Sequence, residues 1–442
     1  MDFLSVLRNI NCTKGMCANL EACISKANYY HTAYTMAIPS ISIFGIVGFC
    51  YSIFAVSGLP TIEASKECRC FPGDYCWPSQ AQWNTFNETL GGKLVATVPL
   101  AAPCHVDSFT PYDAEQCGAV QDTWWYPQTH YVTSSSVMAP FFANRSCDPF
   151  YPKGYQCVVG AYIQYAVNAS TASDYQQTIA FAKSHNIRLV IRNTGHDYFG
   201  KSTGPGALGI WTHYLKDIEV LNYVSTTYSG KALKLGAGVQ AFEAFAAAHR
   251  SGLVVVGGYC PTVGVAGGYS QGGGHSPLSS LVGLAADQVL EWEVVLSSGQ
   301  VVVATPSNTY SDLYWALCGG GGGTYGAVIS MTSKAYPELQ TIGGNLTILA
   351  TGVSQVVFYD ALETFLANLG PYVDAGGTAN WLNTNEYFIV SPLIGPNMTK
   401  AQFDAFFSPT IAFLEENRME YGKPLLFLLC GNLLLGKILS GL

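Results

Sequence analysis

Residues 157–337 of this chain are expected to fold as an α+β domain. Three features point there. Short β-branched runs alternate with amphipathic segments, a hairpin signal stands among them, and two glycine-dense turns interrupt the alternation. The first strand is expected over residues 158–167. Ser173-Asp-Tyr-Gln176 then reads as a capping box opening a helix whose Tyr175, Ile179 and Ala182 share one face. Residues 187–191 are a compact apolar strand running directly into Arg192-Asn-Thr-Gly-His196. A strand over 232–235 precedes a helix over Ala241–Arg250, with His249 and Arg250 in its last turn and Gly252 just beyond. Residues 289–296 and 300–304 flank Ser297-Ser298-Gly299 as a hairpin. A short helix, Ser311–Leu317, meets five consecutive glycines, and a strand over 327–332 follows. Further helices are expected over 356–369 and 399–417, and an apolar run over 425–435 is too short to span a membrane.

Composition narrows the function. A net charge of −8 without a Lys/Arg cluster argues against nucleic acid as a partner. Fourteen cysteines and the sequons at Asn11, Asn87, Asn144, Asn168, Asn345 and Asn397 predict passage through the secretory pathway. Residues 60–156 read as a lead-in tied by disulfides among Cys68, Cys70, Cys76, Cys104, Cys117, Cys147 and Cys157, in pairings the sequence does not give. Metal binding by Cys68, Cys70 and Cys76 lacks matched histidines, so no metal site is expected. Residues 37–59 are apolar and long enough to cross a bilayer. They read either as a signal anchor or, with initiation at Met36, as a cleaved signal peptide; both deliver the chain to an oxidising lumen.

Gly321-Gly-Gly-Thr-Tyr-Gly326 fits G-x-G-x-x-G, but a dinucleotide fingerprint follows a strand and opens a helix. Here the order is reversed, and that reading fails. Two other segments are more informative. Arg192-Asn-Thr-Gly-His196 places backbone N–H groups and a histidine at a turn after a strand. Cys260-Pro-Thr-Val-Gly264-Val-Ala-Gly267-Gly268-Tyr-Ser-Gln-Gly272-Gly273-Gly274-His275 is too glycine-dense for a helix or strand interior. It suits backbone packed against a planar or charged ligand, and Val263, Val265 and Tyr269 argue against a flexible linker.

With these two motifs in register, the chain resembles the vanillyl-alcohol oxidase and p-cresol methylhydroxylase (PCMH) superfamily. Within it the likeness is to the berberine-bridge-enzyme-like branch and its fungal secreted oxidases. It covers about residues 145–340 well and the lead-in loosely. The resemblance implies a PCMH-type FAD-binding domain of two subdomains, over 157–337, followed by a partial α+β substrate domain over 338–442. It implies FAD bonded to His196 at the flavin 8α carbon and to Cys260 at C6. A neutral imidazole and a thiolate have the nucleophilicity these bonds require. The bland alternatives are a packed loop histidine and a disulfide or inert thiol. Arg192, Asn193, Thr194, Gly195, Gly264, Gly267, Gly268, Gly272, Gly273 and Gly274 would line the diphosphate, and the Val328 backbone would meet the cofactor. His275 and Cys318 receive no role.

The function implied is oxidation of an alcohol, sugar or secondary-metabolite intermediate by hydride transfer to flavin, with O2 as acceptor. The resemblance names no catalytic base, and no oligomeric state is assigned. Family members continue through a fuller substrate domain and a closing C-terminal segment that 442 residues do not contain, so a truncated chain is expected. Two further readings accompany this one: a catalytically incompetent family member, and a membrane-anchored interaction protein.

Overall fold

The computed structural model describes residues 68–106, 108–138 and 144–422, together with the backbone of Leu425–Leu429. Residues 37–59 and Asn11 lie outside them. Among the described residues no helix is long and apolar enough to cross a membrane. The chain divides into two compact units, Met1–Trp77 and Pro78–Leu442. The described part of the first carries the Cys70–Cys76 disulfide. Cys70, Asp74 and Cys76 lie close enough to suggest a metal cluster, but the disulfide removes both thiolates from ligation.

The second unit opens with helix α1 (Gln80–Thr89), fixed by a Ser79/Gln82 capping box. Strand β1 (Leu94–Ala96) follows, then helices α2 (Ala114–Thr123) and α3 (Pro127–Tyr131). Disulfides Cys104–Cys117 and Cys147–Cys157 tie this stretch. Replacing Cys104 and Cys117 together with alanine is expected to cost about 3 kcal/mol, the scale of closing a loop near this length. Thermal melts of the two proteins under oxidising conditions check it.

Strand β2 (Tyr165–Asn168) is shorter than the expected 158–167. The preceding residues are held instead by the Cys147–Cys157 bond and a turn at Gly160, where φ is +54° and a Cβ would lie 2.4 Å from that of Ser146. Helix α4 (Ala172–Ser184) starts from a Thr171/Asp174 capping box, two residues ahead of the expected one. Asp174 is the stronger choice because Lys93 bridges it at 2.8 Å. Strands β3 (Arg188–Arg192) and β4 (Ala207–Trp211) complete a four-stranded sheet, ordered β1-β2-β4-β3. β2, β4 and β3 run parallel, and β1 pairs antiparallel with β2. The cysteine-rich lead-in therefore supplies a strand to the next domain's sheet, and the boundary expected at 156/157 cuts through it. Trp83 and Phe86 of α1 also pack on Phe181 of α4.

The second sheet is built from β5 (Ile218–Val224), β6 (Ser229–Gly236), β7 (Leu253–Val255), β8 (Val289–Val295), β9 (Val301–Ala304) and β10 (Ala327–Pro337). Its order is β5-β6-β10-β8-β9, with β7 on β10. Its core gathers Leu233, Leu235, Trp292, Val294 and Met331 with Ala244 and Phe245 from helix α5 (Ala241–Arg250). Tyr175, Ile179, Ile210, Val295 and Ala327 form a second cluster, which places α4 between the two sheets. Packing them together buries the apolar face of α4 against alternating apolar positions of β8. The α+β, two-subdomain architecture is as expected.

The third sheet holds β11 (Gln340–Leu349), β12 (Thr378–Asn383), β13 (Tyr387–Pro396), β14 (Tyr421–Gly422) and β15 (Leu425–Leu429). Helices α8 (Gln355–Ala367), α9 (Leu369–Asp374) and α10 (Lys400–Glu416) cover it through Phe358, Phe365, Tyr372, Phe403 and Phe407. The described part of the apolar tail is β15, antiparallel to β11. Between α5 and α8 lie two short helices, α6 (Ser279–Val282) and α7 (Ser311–Leu317).

Candidate cofactor site

The site is built where β3 ends. β2, β3 and β4 are parallel, so the loop after Arg192 leaves their carboxyl edge, the position at which open parallel sheets hold ligands. Two bonds fix that loop. The Thr212 N–H donates to the Arg192 carbonyl at 2.9 Å, and the Met138 N–H to that of Gly195 at 3.2 Å. Gly195 has φ +80°, and a Cβ there would meet Arg192 Nη1 at 2.6 Å. Glycine is required for both reasons.

Arg192 does not point into open space. Its side chain is fully buried and donates to the carbonyls of His130, Thr133 and Ser136. Burial pushes its pKa down to about 10, opposed by Asp197, so the cation persists at neutral pH. The guanidinium expected among the diphosphate contacts is thus already committed, except at Nη1. Asn193 donates through Nδ2 to the Ala237 carbonyl, and Thr194 is buried.

The second segment is fastened by the start of α5. The Ala241 and Phe242 N–H groups, among the donors a helix N-terminus leaves unpaired, are taken by the carbonyls of Val263 and Pro261 at 2.9 Å each. Val265 N–H reaches Val239 O at 2.9 Å, and Gln240 bridges Gly264. Gly264 and Gly267 then face the Asn193 side chain: a Cβ would come 1.8 Å from Oδ1 at the first and 3.0 Å from Cγ at the second. Residues 265–269 make one wide π-type turn. Gly273 and Gly274 both have positive φ, while a Cβ on Gly268 would meet nothing within 4 Å.

The five-glycine run has a different task from the fingerprint it imitates. Gly319 and Gly321 donate to the Gln271 carbonyl at 3.1 and 2.8 Å, and a Cβ on Gly322 would touch Gly268 Cα at 2.8 Å. Two backbones pack without side chains between them. Val328 lies buried in β10 with its carbonyl accepting from Tyr175 Oη at 3.1 Å, so that oxygen is engaged within the protein. Cys318 accepts the indole N–H of Trp292 at 3.4 Å.

The two motifs meet at His196 and Cys260. Cys260 Sγ is 3.9 Å from His196 Nε2, although the residues are 64 positions apart. Thr262 Oγ1 stands 2.8 Å from Nε2 and 3.4 Å from Sγ. Thr262, inside the Cys260-Pro-Thr-Val-Gly264 motif, has no role that its type or spacing assigns; only the fold brings its hydroxyl to both side chains. Burial pushes the His196 imidazole down to about 4, with Asp197 opposing, so it is neutral at physiological pH.

These residues suit a polar cofactor such as FAD. Arg192 Nη1, Asn193 Oδ1, Ser270 Oγ and Gln271 Oε1 are buried polar atoms without a protein partner, all on the two motif segments. Beside them stand open backbone at Gly268 and a neutral imidazole with a thiol.

Comparison with known proteins agrees. Residues 163–305 match the FAD binding domain family. The chain is 46% identical over 286 residues to FAD-linked oxidoreductase sthB of Phaeosphaeria nodorum, covering 64% of this chain and 90% of that protein. The chain belongs to the FAD-linked oxidoreductases of vanillyl-alcohol-oxidase type. It is also 52% identical over 365 residues to FAD-linked oxidoreductase sor8 of Hypocrea jecorina, covering 83% of this chain and 63% of that protein. The solved VAO-type flavoprotein MtVAO615 from Myceliophthora thermophila C1 superposes with a TM-score of 0.79 at 43% identity, over 82% of this chain and 66% of that one. The chain thus spans about 63% of the length of longer relatives such as sor8.

Proposed function

We propose that the protein oxidises a small organic substrate, an alcohol, a sugar or a secondary-metabolite intermediate, using FAD bonded to His196 and Cys260, with molecular oxygen as acceptor. The observation that carries this reading is the meeting of His196 and Cys260 at 3.9 Å between two glycine-rich segments. FAD, when bound, supplies a two-electron acceptor for substrate C–H cleavage. The chain supplies the rest. His196 offers a neutral nitrogen lone pair and Cys260 a sulfur. Gly268 and Gly273 leave open space beside the backbone where the cofactor would approach. Gly264 and Gly267 let that backbone close on Asn193, and Gly272 and Gly274 let it pack on Gly268 and Tyr269. The N–H groups of 193–195 would serve the diphosphate. Arg192 acts by holding residues 130–136 against that loop.

The reading extends to location. Cys104–Cys117 and Cys147–Cys157, with sequons at exposed Asn144 and Asn397, support a secretory lumen, where dioxygen is at hand. Purified protein whose yellow colour survives acid precipitation, and which releases hydrogen peroxide with a member of an alcohol and sugar panel, satisfies the proposal. Colourless protein refutes it.

A pH dependence follows. Burial lowers the His196 pKa from 6.5 to about 4, so the lone pair persists on acidification to that point. Covalent attachment of FAD to flavin-free protein is expected to be level from pH 7 to 5 and to fall near pH 4. A fall centred at 6.5 contradicts it. Stability has a matching sign. Between 6.5 and about 4 the unfolded imidazole holds a proton the folded one lacks, so stability declines as pH drops through that window and is unaffected by His196 above it. His213, also lowered to about 4 by burial, adds in the same direction.

A further inference from the structure

Thr262 touches both proposed attachment residues and is itself held in place. Its side chain is buried, and its carbonyl accepts from Gln240 Nε2 at 2.7 Å, the same Gln240 that bridges Gly264. Oγ1 is 2.8 Å from His196 Nε2 and 3.4 Å from Cys260 Sγ, and those two atoms are 3.9 Å apart. The hydroxyl therefore bridges nitrogen and sulfur.

A hydroxyl has one proton to donate and lone pairs to accept with, and a neutral imidazole carries one N–H and one lone pair. Two arrangements satisfy the short contact. If Thr262 donates to Nε2, the imidazole proton sits on Nδ1 and the ring's lone pair is consumed. If Nε2–H donates to Oγ1, the Nδ1 lone pair is open and the hydroxyl proton turns toward sulfur. Only the second leaves a nucleophilic nitrogen, Nδ1, on a ring whose Nε2 faces a sulfur that receives a hydrogen bond. A positioned group that sets which nitrogen carries the proton decides which one reacts.

We propose that Thr262 is a positioning residue for cofactor attachment: its Oγ1 holds His196 in the Nε2–H tautomer so that Nδ1 forms the bond, and its O–H donates to the Cys260 sulfur. The inference rests on the covalent-FAD reading above. In the bond-forming step an N–C bond replaces one C–H bond of the 8α methyl group. Once Nδ1 is alkylated the Nε2 proton leaves, with Thr262 as its first acceptor. The two hydrogens and the electron pair pass to dioxygen, which departs as hydrogen peroxide.

The test uses the full chain as wild type, Thr262→Val and Thr262→Ser, each produced flavin-depleted and mixed with FAD. Acid-precipitable flavin is followed in time, flavin that binds without attachment is measured alongside, and the His196 peptide is analysed by NMR for the ring nitrogen bonded. Thr262→Val is expected to bind FAD yet attach it at His196 about a hundredfold more slowly, the low end for a positioned proton-handling group. Thr262→Ser is expected to remain near wild type, with linkage through Nδ1 in both wild type and Thr262→Ser. Attachment at the wild-type rate in Thr262→Val, or linkage through Nε2, overturns the inference and leaves covalent flavin standing. If Thr262→Val fails to fold, the Thr262→Ser rate and the wild-type linkage isomer still decide. A wild type without any adduct removes the covalent reading and this inference together.

Discussion

Replacing Arg192 with alanine is expected to destabilise the flavin-free protein by about 3–5 kcal/mol, because each buried carbonyl left without its charged donor costs about 1–3 kcal/mol. Two carbonyls are stranded, those of Thr133 and Ser136, while that of His130 keeps the Thr133 N–H and hydroxyl as donors. Denaturant melts of flavin-free wild type and variant measure the difference. Arg192→Lys is expected to recover little of it, since a single ammonium does not span three acceptors in the plane the guanidinium fills. The outcome separates two roles. Were Arg192 chiefly a phosphate contact, the variant would keep the stability of the flavin-free protein and lose only FAD affinity.

The His196→Ala variant is expected to carry no flavin on its residue-196 peptide, with all remaining acid-stable flavin on the peptide containing Cys260. His196→Ala combined with Cys260→Ala is expected to release all its flavin into acid. Peptide mass spectrometry of the three proteins reads these outcomes directly. Cys260 Sγ is held in place by Thr262 and by the carbonyl ties from Pro261 and Val263 to α5, none of which requires His196. Unchanged covalent flavin in His196→Ala would remove the histidine from the account.

Several elements were legible because their signals are local. Helix α5 spans the expected Ala241–Arg250 and ends where His249, Arg250 and Gly252 place it, and α7 matches its expected span. Gly195, with φ +80° after a parallel strand, was readable from Arg192-Asn-Thr-Gly-His196 alone. The failures come from partners distant in sequence. Residues 158–164 carry strand-forming side chains but follow the geometry of Cys147–Cys157 and Gly160. The cap of α4 moved from Ser173 to Thr171 because Lys93, on the strand-like stretch before β1, favours Asp174 as the reciprocal carboxylate. Helix α1 had weak periodicity, since its Trp83 and Phe86 answer to Phe181 and Tyr165 rather than to a continuous apolar face.

The site shows the same division. Motif residues were found by type and spacing, whereas their tasks depended on which atoms remained free. Arg192 looked like an anion ligand; its Nε and Nη2 clamp a neighbouring loop, which leaves Nη1 alone without a protein partner. The five-glycine run failed as a dinucleotide fingerprint, and the structure shows why it is glycine: Gly322 rests on Gly268 with no room for a Cβ. Thr262 carried no signal of its own until Cys260 and His196 were brought within reach of it.

The chemistry proposed for His196, Cys260 and Thr262 depends on whether this chain forms bonds to its cofactor. The most direct measurement is mass spectrometry of peptides from acid-precipitated, proteolysed wild-type protein expressed through a secretory pathway. Flavin mass on the peptide containing His196, accompanied by the one containing Cys260, is the predicted result. Unmodified peptides at both positions, with all yellow colour left in the acid supernatant or none at all, would contradict it.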